Sequence, residues 1–563
     1  MSKLTRRSFF GSAMAGAAAL SGCATGASGN QGATRRPNVV LIMTDDQGYG
    51  DMACHGNEVI STPNIDRLHG ESTRFTQFHV MPVCSPTRAC LMTGRYNYRT
   101  GVVDTYLGRS MMRPDETTMA ELFRASGYRT AIFGKWHLGD NYPMRATEQG
   151  FDESLVHNGG GMAQPSEPPN SGYFDPLLLH NGEWERHTGY CTDIFASAAI
   201  DYIRAHKTEP FLVYLPTNAP HTPLEVPDDY AVPYREKGLD EQLAKLYGMI
   251  TNFDDNLGRV LDALDEESLA QDTIVIFLTD NGAQRLNDAP RYNAGMRGWK
   301  GSVYQGGIRV PCFMRWPEQF EAGKEIDEIA AHIDLLPTLL DLCGVSAPAG
   351  TDKPLDGLSL TPLLGAHPVP WRDRALFFQW HRGDEPAPYN SCAVRTQRWK
   401  LVNGEELYDM ANDPREETDV AAAHPGEVTQ LRSLYDTWFK SVSANGYAPP
   451  RIYIGTEHEN PVILTRQDWR GAEGWNDNSA GHWEVFVASE GRYDITVDLP
   501  EGGGAGTLRL TCGELALTAP ASTSMTSHTF AGVTLPEGDA RVRAWVDIDG
   551  KERGARYVRV KQL

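Results

Sequence analysis

The sequence predicts an α/β fold: a mostly parallel sheet with helices on both faces, then a small α+β C-terminal subdomain, then an extra C-terminal β-sandwich-like module. Three observations predict it. Short apolar runs such as Val39-Val40-Leu41-Ile42-Met43 are continuous rather than alternating, as expected of strands buried on both faces. Helical periodicities lie between those runs, and strands alternating with helices give a parallel sheet. Beyond about residue 455 the apolar positions recur every second residue, as in strands with one face in a core.

Residues 1–36 stand apart from this fold. Phe9 to Gly22 is an Ala/Gly-rich apolar stretch behind Lys3, Arg6 and Arg7, shorter than the ~20 residues that span a bilayer. A charged segment followed by a short apolar one reads as a signal peptide. Thr5-Arg6-Arg7-Ser8-Phe9-Phe10 resembles a bacterial twin-arginine signal. Leu20-Ser21-Gly22-Cys23 resembles a lipoprotein cleavage box, which would make Cys23 a lipid anchor; cleavage that discards Cys23 is the competing outcome. Ala24 to Thr34 is a small, polar tether. The expected destination is the periplasm, or the cell envelope of a bacterium as a lipoprotein.

The main body is expected over 37–370. Its buried runs after Val39 to Met43 are Thr130 to Phe133, Phe211 to Leu215 and Thr273 to Leu278. Ile194, Phe195, Ala198, Tyr202 and Ile203 share a helix face behind a Thr192 cap, and Leu243 through Leu264 keeps a 3/4 spacing for six turns. Asp334 reads as the cap of a helix with Pro337 in its first turn and Gly344 at its end. From 371 to 448, strands Arg374 to Trp380 and Ala393 to Val402 precede an amphipathic helix on Val428, Leu431, Leu434, Tyr435, Trp438 and Val442. Pro449-Pro450 marks a boundary. In 455–563, Tyr493, Ile495, Val497 and Leu499 alternate with polar residues, and Trp483 to Val485 and Val542 to Ile548 behave likewise.

Composition excludes some classes. Of 563 residues 40% are hydrophobic and 22% charged, ordinary globular values, so neither a disordered nor a collagen-like chain fits. With 73 acidic against 52 basic residues the net charge is -21, which opposes a general nucleic-acid binder. Apart from Cys23 and Cys84, the cysteines are scattered without metal-site spacing.

Two buried runs end alike, in Asp45-Asp46 and in Asp280-Asn281-Gly282. Open α/β sheets bind ligands beyond the carboxyl ends of their strands, so these side chains can converge there. Three carboxylates and an amide offer hard oxygens suited to Ca2+ or Mg2+. Singly, each pair reads as a helix cap or turn; the repeat at two strand ends favours a metal.

Pro82-Val83-Cys84-Ser85-Pro86-Thr87-Arg88, followed by Leu91-Met92-Thr93-Gly94-Arg95, is a Cys-x-Pro-x-Arg motif with a downstream Thr-Gly-Arg. On it the chain resembles the type I sulfatases of the alkaline phosphatase superfamily. The resemblance extends in order through Gly134-Lys135-Trp136-His137, Asn218-Ala219-Pro220-His221, Asp280-Asn281-Gly282 and Gly298-Trp299-Lys300-Gly301, and covers about Pro37 to Val442. It implies an alkaline phosphatase-like sheet and a sulfuric ester hydrolase. It also implies that Cys84 is oxidised to Cα-formylglycine (3-oxoalanine) by a formylglycine-generating or anaerobic sulfatase-maturating enzyme.

Under that resemblance Asp45, Asp46, Asp280 and Asn281 hold Ca2+, with Mg2+ possible, and formylglycine at Cys84 also touches the ion. One oxygen of the aldehyde hydrate attacks sulfur to give a sulfo-enzyme, and loss of the other hydroxyl proton expels sulfate. Arg88 holds the hydrate; Lys135 and Lys300 grip sulfate oxygens. His221 is the preferred general acid, with Lys300 the alternative, and His137 is the base. Loops read the organic part, and His157, Asn158, Arg285, His381 and Arg382 are candidate contacts against a background of ordinary loop structure. The expected substrate is a sulfated glycan or a small sulfate ester. A formylglycine-dependent phosphodiesterase or phosphonate monoester hydrolase is the alternative enzyme, and a catalytically dead glycan-binding protein the alternative class. Trp469, Trp475, Trp483 and Trp545 in the last module suit either a sugar-stacking platform or a core.

Overall fold

The computed structural model describes residues 36–168, 171–286, 290–347, 353–365, 370–500 and 505–563. The signal, tether and Cys23 expectations lie outside the described residues. Ten strands make the central sheet: β1 (Asn38–Thr44), β2 (Thr73–Phe75), β3 (Arg129–Lys135), β4 (Glu153–His157), β5 (Leu177–His180), β6 (Glu183–Arg186), β7 (Phe211–Pro216), β8 (Thr273–Thr279), β9 (Cys312–Arg315) and β10 (Glu325–Ile326). Their spatial order is β10-β2-β9-β8-β1-β7-β3-β4-β5-β6. The central run β8-β1-β7-β3-β4 is parallel throughout. Antiparallel pairs appear only outside it, β9 with β8 and β2, and β5 with β4 and β6.

Every residue of β1 is buried, which explains its unbroken apolar sequence. Val39, Leu41 and Met43 face one core, together with α1 (Cys84–Thr93); Val40 and Ile42 face the other, with α2 (Cys191–Ala205) and α3 (Glu241–Glu266). α4 (Leu335–Cys343) closes the first face through Leu335, Leu336 and Leu339.

Two capping expectations are corrected. α2 begins at Cys191 behind Tyr190, so Thr192 lies inside it and caps nothing. Asp334 precedes α4 without a side-chain cap; its carboxylate accepts from the Ala331 and Leu358 amides and pairs with Arg374 at 2.9 Å, tying three segments together. Gly344 ends α4 in the left-handed conformation, φ 60°, as expected.

Next comes an antiparallel four-stranded sheet, Leu376–Gln379, Cys392–Arg395, Trp399–Val402 and Glu406–Asp409, covered by α5 (Pro425–Val442). Residues 393–402 form two strands rather than one, because Thr396 to Trp399 is a tight turn closed by the Thr396 N–H to Trp399 O bond.

Beyond residue 451 the secondary structure among the described residues is all strand. One sheet comprises Ile452–Ile454, Trp483–Val487, Gly538–Ile548, Gly506–Cys512 and Leu515–Ala521, with Lys551–Gly554 on the side; the other comprises Val462–Thr465, Tyr557–Gln562, Gly491–Asp498 and Ser527–Leu535. Inward residues of both sheets, among them Tyr493, Ile495, Val542 and Val546, share one core. That core continues into Leu107, Met111 and Met144 of the main body. No helix among the described residues is long and apolar enough to cross a membrane.

Candidate active site

β1 and β8 pair in parallel register through Thr44 and Thr279, so their following residues emerge side by side. Asp46 turns into the left-handed region, φ 65°, and its amide donates to Asp280 Oδ1 at 3.2 Å. Asn281 Nδ2 donates to Asp46 Oδ1 at 2.9 Å. All four polar side chains, Asp45, Asp46, Asp280 and Asn281, are buried. Cys84 is the first residue of α1, and Arg88, one turn on, shares its face. The Arg88 guanidinium, also buried, donates to Asp280 Oδ2 at 2.8 Å and to Lys135 O at 2.9 Å.

Lys135 closes β3, and its Nζ lies 2.6 Å from Asp45 Oδ2. Lys300 sits in a turn whose backbone is pinned by Lys300 N–H to Ala283 O and Gly301 N–H to Pro82 O; its Nζ reaches Asp46 Oδ1 at 2.6 Å. Gly301 is required there, since φ is +84° and a Cβ would come within 2.9 Å of the Trp380 ring.

The two histidines are oriented by carbonyls, which can only accept. His137 Nε2 donates to Thr105 O at 2.7 Å, leaving Nδ1 as the acceptor atom, with no hydrogen-bond partner among the described residues. His221 Nδ1 donates to Thr222 O at 2.6 Å, leaving Nε2 3.7 Å from Asp46 Oδ2. Both rings rest on glycines. A Cβ on Gly160 would come within 3.0 Å of the His137 ring, and one on Gly161 within 2.8 Å of His221 Nδ1.

Burial drives His137 well below its usual range, with the Lys135 charge adding to it. Burial likewise lowers His221 to about 3, with Lys300 and Lys135 adding and Asp46 opposing. Both are therefore neutral imidazoles. Burial raises the Cys84 thiol against the pull of Lys135 and Lys300, so the unmodified side chain is a weak nucleophile. Burial, reinforced by Asp45, pushes Asp280 up to about 7 despite Arg88. Burial would raise Asp46, but the Lys300 charge, with hydrogen bonds from Asn281 and Lys300, holds it below the ordinary carboxylate range.

Metal-ligating atoms of Asp45, Cys84 and Asp280, and of Asp45, Asp46 and His221, lie within 4.8 Å of one another. Asp45 Oδ1 and Asn281 Oδ1 are buried with no hydrogen-bond partner among the described residues. Buried oxygens left without a proton donor fit a hard divalent cation.

A cleft of about 800 Å³ opens above these groups and is lined by Cys84, His137, His221 and Lys300. Arg285 and Arg382 line it as well. His157, Asn158 and His381 do not. His157 is buried at the end of β4, bonded to Asn158 O and 3.7 Å from the buried Glu167, which also accepts the Asn158 amide. His381 accepts the Ala387 amide at 2.8 Å and so holds its own loop. The cleft walls include aromatic residues from separate segments: Tyr106, Trp299, Trp380 and Trp475. Trp299 and Trp380 lie inside segments already singled out in the sequence, whereas nothing local to Tyr106 announces a cleft residue.

Residues 37–345 match the family model described as Sulfatase, and residues 295–434 match that of the N-sulphoglucosamine sulphohydrolase C-terminal region. The chain belongs to the sulfatase family. It is a type I sulfatase of the alkaline phosphatase superfamily, and hence a sulfuric ester hydrolase. Human arylsulfatase A is 32% identical over 491 residues, covering 76% of this chain and 92% of that protein. Human N-acetylgalactosamine-6-sulfatase is 32% identical over 417 residues, covering 68% and 76%. Among solved structures, Ps i-CgsB in complex with k-i-k-neocarrahexaose superimposes with a TM-score of 0.66 at 29% identity, covering 73% of this sulfatase and 94% of that chain. The matched regions of the two family models end at residue 434, before the C-terminal strands begin.

Proposed function

We propose that this sulfatase hydrolyses sulfate esters of carbohydrates, through a Cα-formylglycine made from Cys84 and with Ca2+ at the carboxylate cluster. The observation that carries the reading is the convergence of Cys84, Arg88, Lys135, His137, His221 and Lys300 around one buried carboxylate set at the floor of the cleft. The relatives named for N-acetylgalactosamine 6-sulfate and the neighbour holding a carrageenan hexasaccharide support a sugar substrate.

Asp45, Asp46, Asp280, Asn281 and residue 84 would hold a Ca2+ ion, which would supply positive charge beside sulfate and lower the pKa of the attacking hydroxyl. The hydrated aldehyde at 84 supplies an oxygen nucleophile where the thiol would leave a product that is hard to release. Lys135 and Lys300 donate to sulfate oxygens, and Arg88 fixes the nucleophile against Asp280. His221 presents Nε2 to the cleft. An anionic sulfate beside it raises its affinity for a proton, so it can deliver one to the leaving oxygen. His137 Nδ1, already an acceptor, takes the proton of the remaining hydroxyl; its loss forms the aldehyde C=O as the carbon–oxygen bond to the sulfo group breaks and sulfate leaves. Export to the periplasm or envelope, a lipid anchor at Cys23 and maturation by a formylglycine-generating or anaerobic sulfatase-maturating enzyme complete the proposal.

Mass spectrometry of the Cys84 peptide tests the modification. Sulfate release from carbohydrate sulfates, set against phosphate release from matched phosphate esters, tests the activity. Faster phosphate than sulfate release would favour the phosphodiesterase or phosphonate hydrolase reading, and no release of either would favour a binding protein.

A further inference from the structure

The cleft extends past the region that the family models match, because Trp475, in the loop between the strands Val462–Thr465 and Trp483–Val487, forms part of its wall. The four tryptophans of that module have separate fates. Trp469 and Trp483 are fully buried in its core. Trp545 is covered by the Arg543 guanidinium at 4.3 Å. Trp475, half-buried, faces the cavity that also holds Cys84, and packs edge-on against Tyr106 with ring centroids 5.0 Å apart.

Its backbone is held in place. The buried Arg466 guanidinium donates to Trp475 O at 2.6 Å, to Asp477 at 2.8 Å, and to the carbonyls of Gly554 and Ala555. Tyr106 carries Arg382 over its ring at 4.5 Å, and Arg382 also lies 5.2 Å from the Trp380 ring. Trp380 is anchored in turn by its Nε1 to Asp104 Oδ1 at 2.9 Å. A fixed aromatic wall with a guanidinium at its edge suits one ligand class: a pyranose ring, whose C–H face is apolar, bearing an anionic substituent.

We propose that the C-terminal module builds a sugar subsite into the active site. Trp475, flanked by Tyr106, receives a pyranose ring neighbouring the one whose sulfate is cleaved, and Arg382, held 3.3 Å from Asp104 with its side chain half exposed, meets a second anionic group on that neighbour. The preferred substrate class is therefore a multiply anionic oligosaccharide. This rests on the carbohydrate reading above.

The test uses the full-length, matured enzyme and its Trp475→Ala, Trp475→Phe and Arg382→Ala variants. Sulfate release is measured from 4-nitrophenyl sulfate, from 6-sulfated monosaccharides, and from carrageenan-, chondroitin sulfate- and heparin-derived oligosaccharides. Trp475→Ala should lower kcat/KM on oligosaccharide about tenfold or more, mostly through KM, and leave nitrophenyl sulfate within about twofold. Trp475→Phe should restore most of the loss, and Arg382→Ala should act only where a second anion is present. Equal loss on both substrate sizes, or none on either, overturns the subsite. Wild-type enzyme that cleaves nitrophenyl sulfate and monosaccharides but no oligosaccharide also overturns it, with the carbohydrate reading intact. Cleavage of nitrophenyl sulfate alone overturns both.

Discussion

Each catalytic histidine has a second contact that sets its role. The carbonyl bound to His221 leaves Nε2 free, so His221→Ala removes a proton donor and leaves the cluster of carboxylates in place. Its loss should cost about 10²–10⁴-fold on alkyl sulfates with poor leaving groups and much less on nitrophenyl sulfate. Steady-state kinetics across a leaving-group series checks this, and equal losses would reassign the acid to Lys300. Gly161→Ala tests the same nitrogen sterically. A methyl placed 2.8 Å from His221 Nδ1 must displace the ring, so kcat should fall without a matching fall in stability. The unpaired oxygens of Asp45 and Asn281 predict that chelation lowers both activity and Tm, and that Ca2+ restores both. A chelated enzyme with unchanged Tm and activity would remove the cation from the scheme.

At the scale of elements, the floor of the site was legible in the sequence and its walls only in part, through Arg285 and Arg382. The floor hangs on strand ends and one helix start, whose buried runs and Cys-x-Pro-x-Arg spacing are local patterns. Asp45, Asp46, Cys84, Asp280 and Asn281 meet because β1, α1 and β8 bring them there. The walls come from loops placed by contacts hundreds of residues away. His157 and Asn158 precede the glycines that cushion the two histidines, but Glu167 draws them inward. Loop 104–110 shows the same dependence. Gln467 Nε2 donates to Thr105 O at 2.9 Å, the carbonyl that orients His137, and to Ser110 Oγ at 3.0 Å. Gln467→Ala should therefore reduce kcat on large and small substrates alike and shift the pH profile of kcat, unlike a change at Trp475. An unaltered pH profile would mean that Gln467 only supports the loop.

The whole molecule carries a net charge of -21, yet at the site Arg88, Lys135 and Lys300 offset Asp280, Asp45 and Asp46, so a divalent cation held there would make the floor net positive toward an anion. The C-terminal module is joined to the main body by a shared core and by buried polar groups, including Tyr557 donating to Glu167 O. Asp468 is one of these groups. Burial pushes its carboxyl up to about 7, and burial with the Asp468 charge raises Asp140. A carboxyl with a folded pKa above its unfolded value of about 3.9 binds its proton more tightly when folded. Its contribution is thus most favourable below about pH 4, declines as pH rises toward 7, and is level above that. Asp468→Asn should flatten this decline and raise Tm above pH 7; parallel wild-type and variant Tm profiles would show that Asp468 does not govern it.

The placement of Tyr557–Gln562 also sets an order of events. This strand lies between Val462–Thr465 and Gly491–Asp498, and so supports the segment that presents Gln467 to Thr105. During synthesis the earlier parts of a chain emerge and fold first. The His137 environment described above is therefore unfinished until residue 562 has been made. Cys84 is buried once α1 is packed, so the conversion proposed for it would take place while the chain is still open. On the proposal above, the opportunity for a maturating enzyme closes when α1 packs, before the contacts that complete the His137 environment can form.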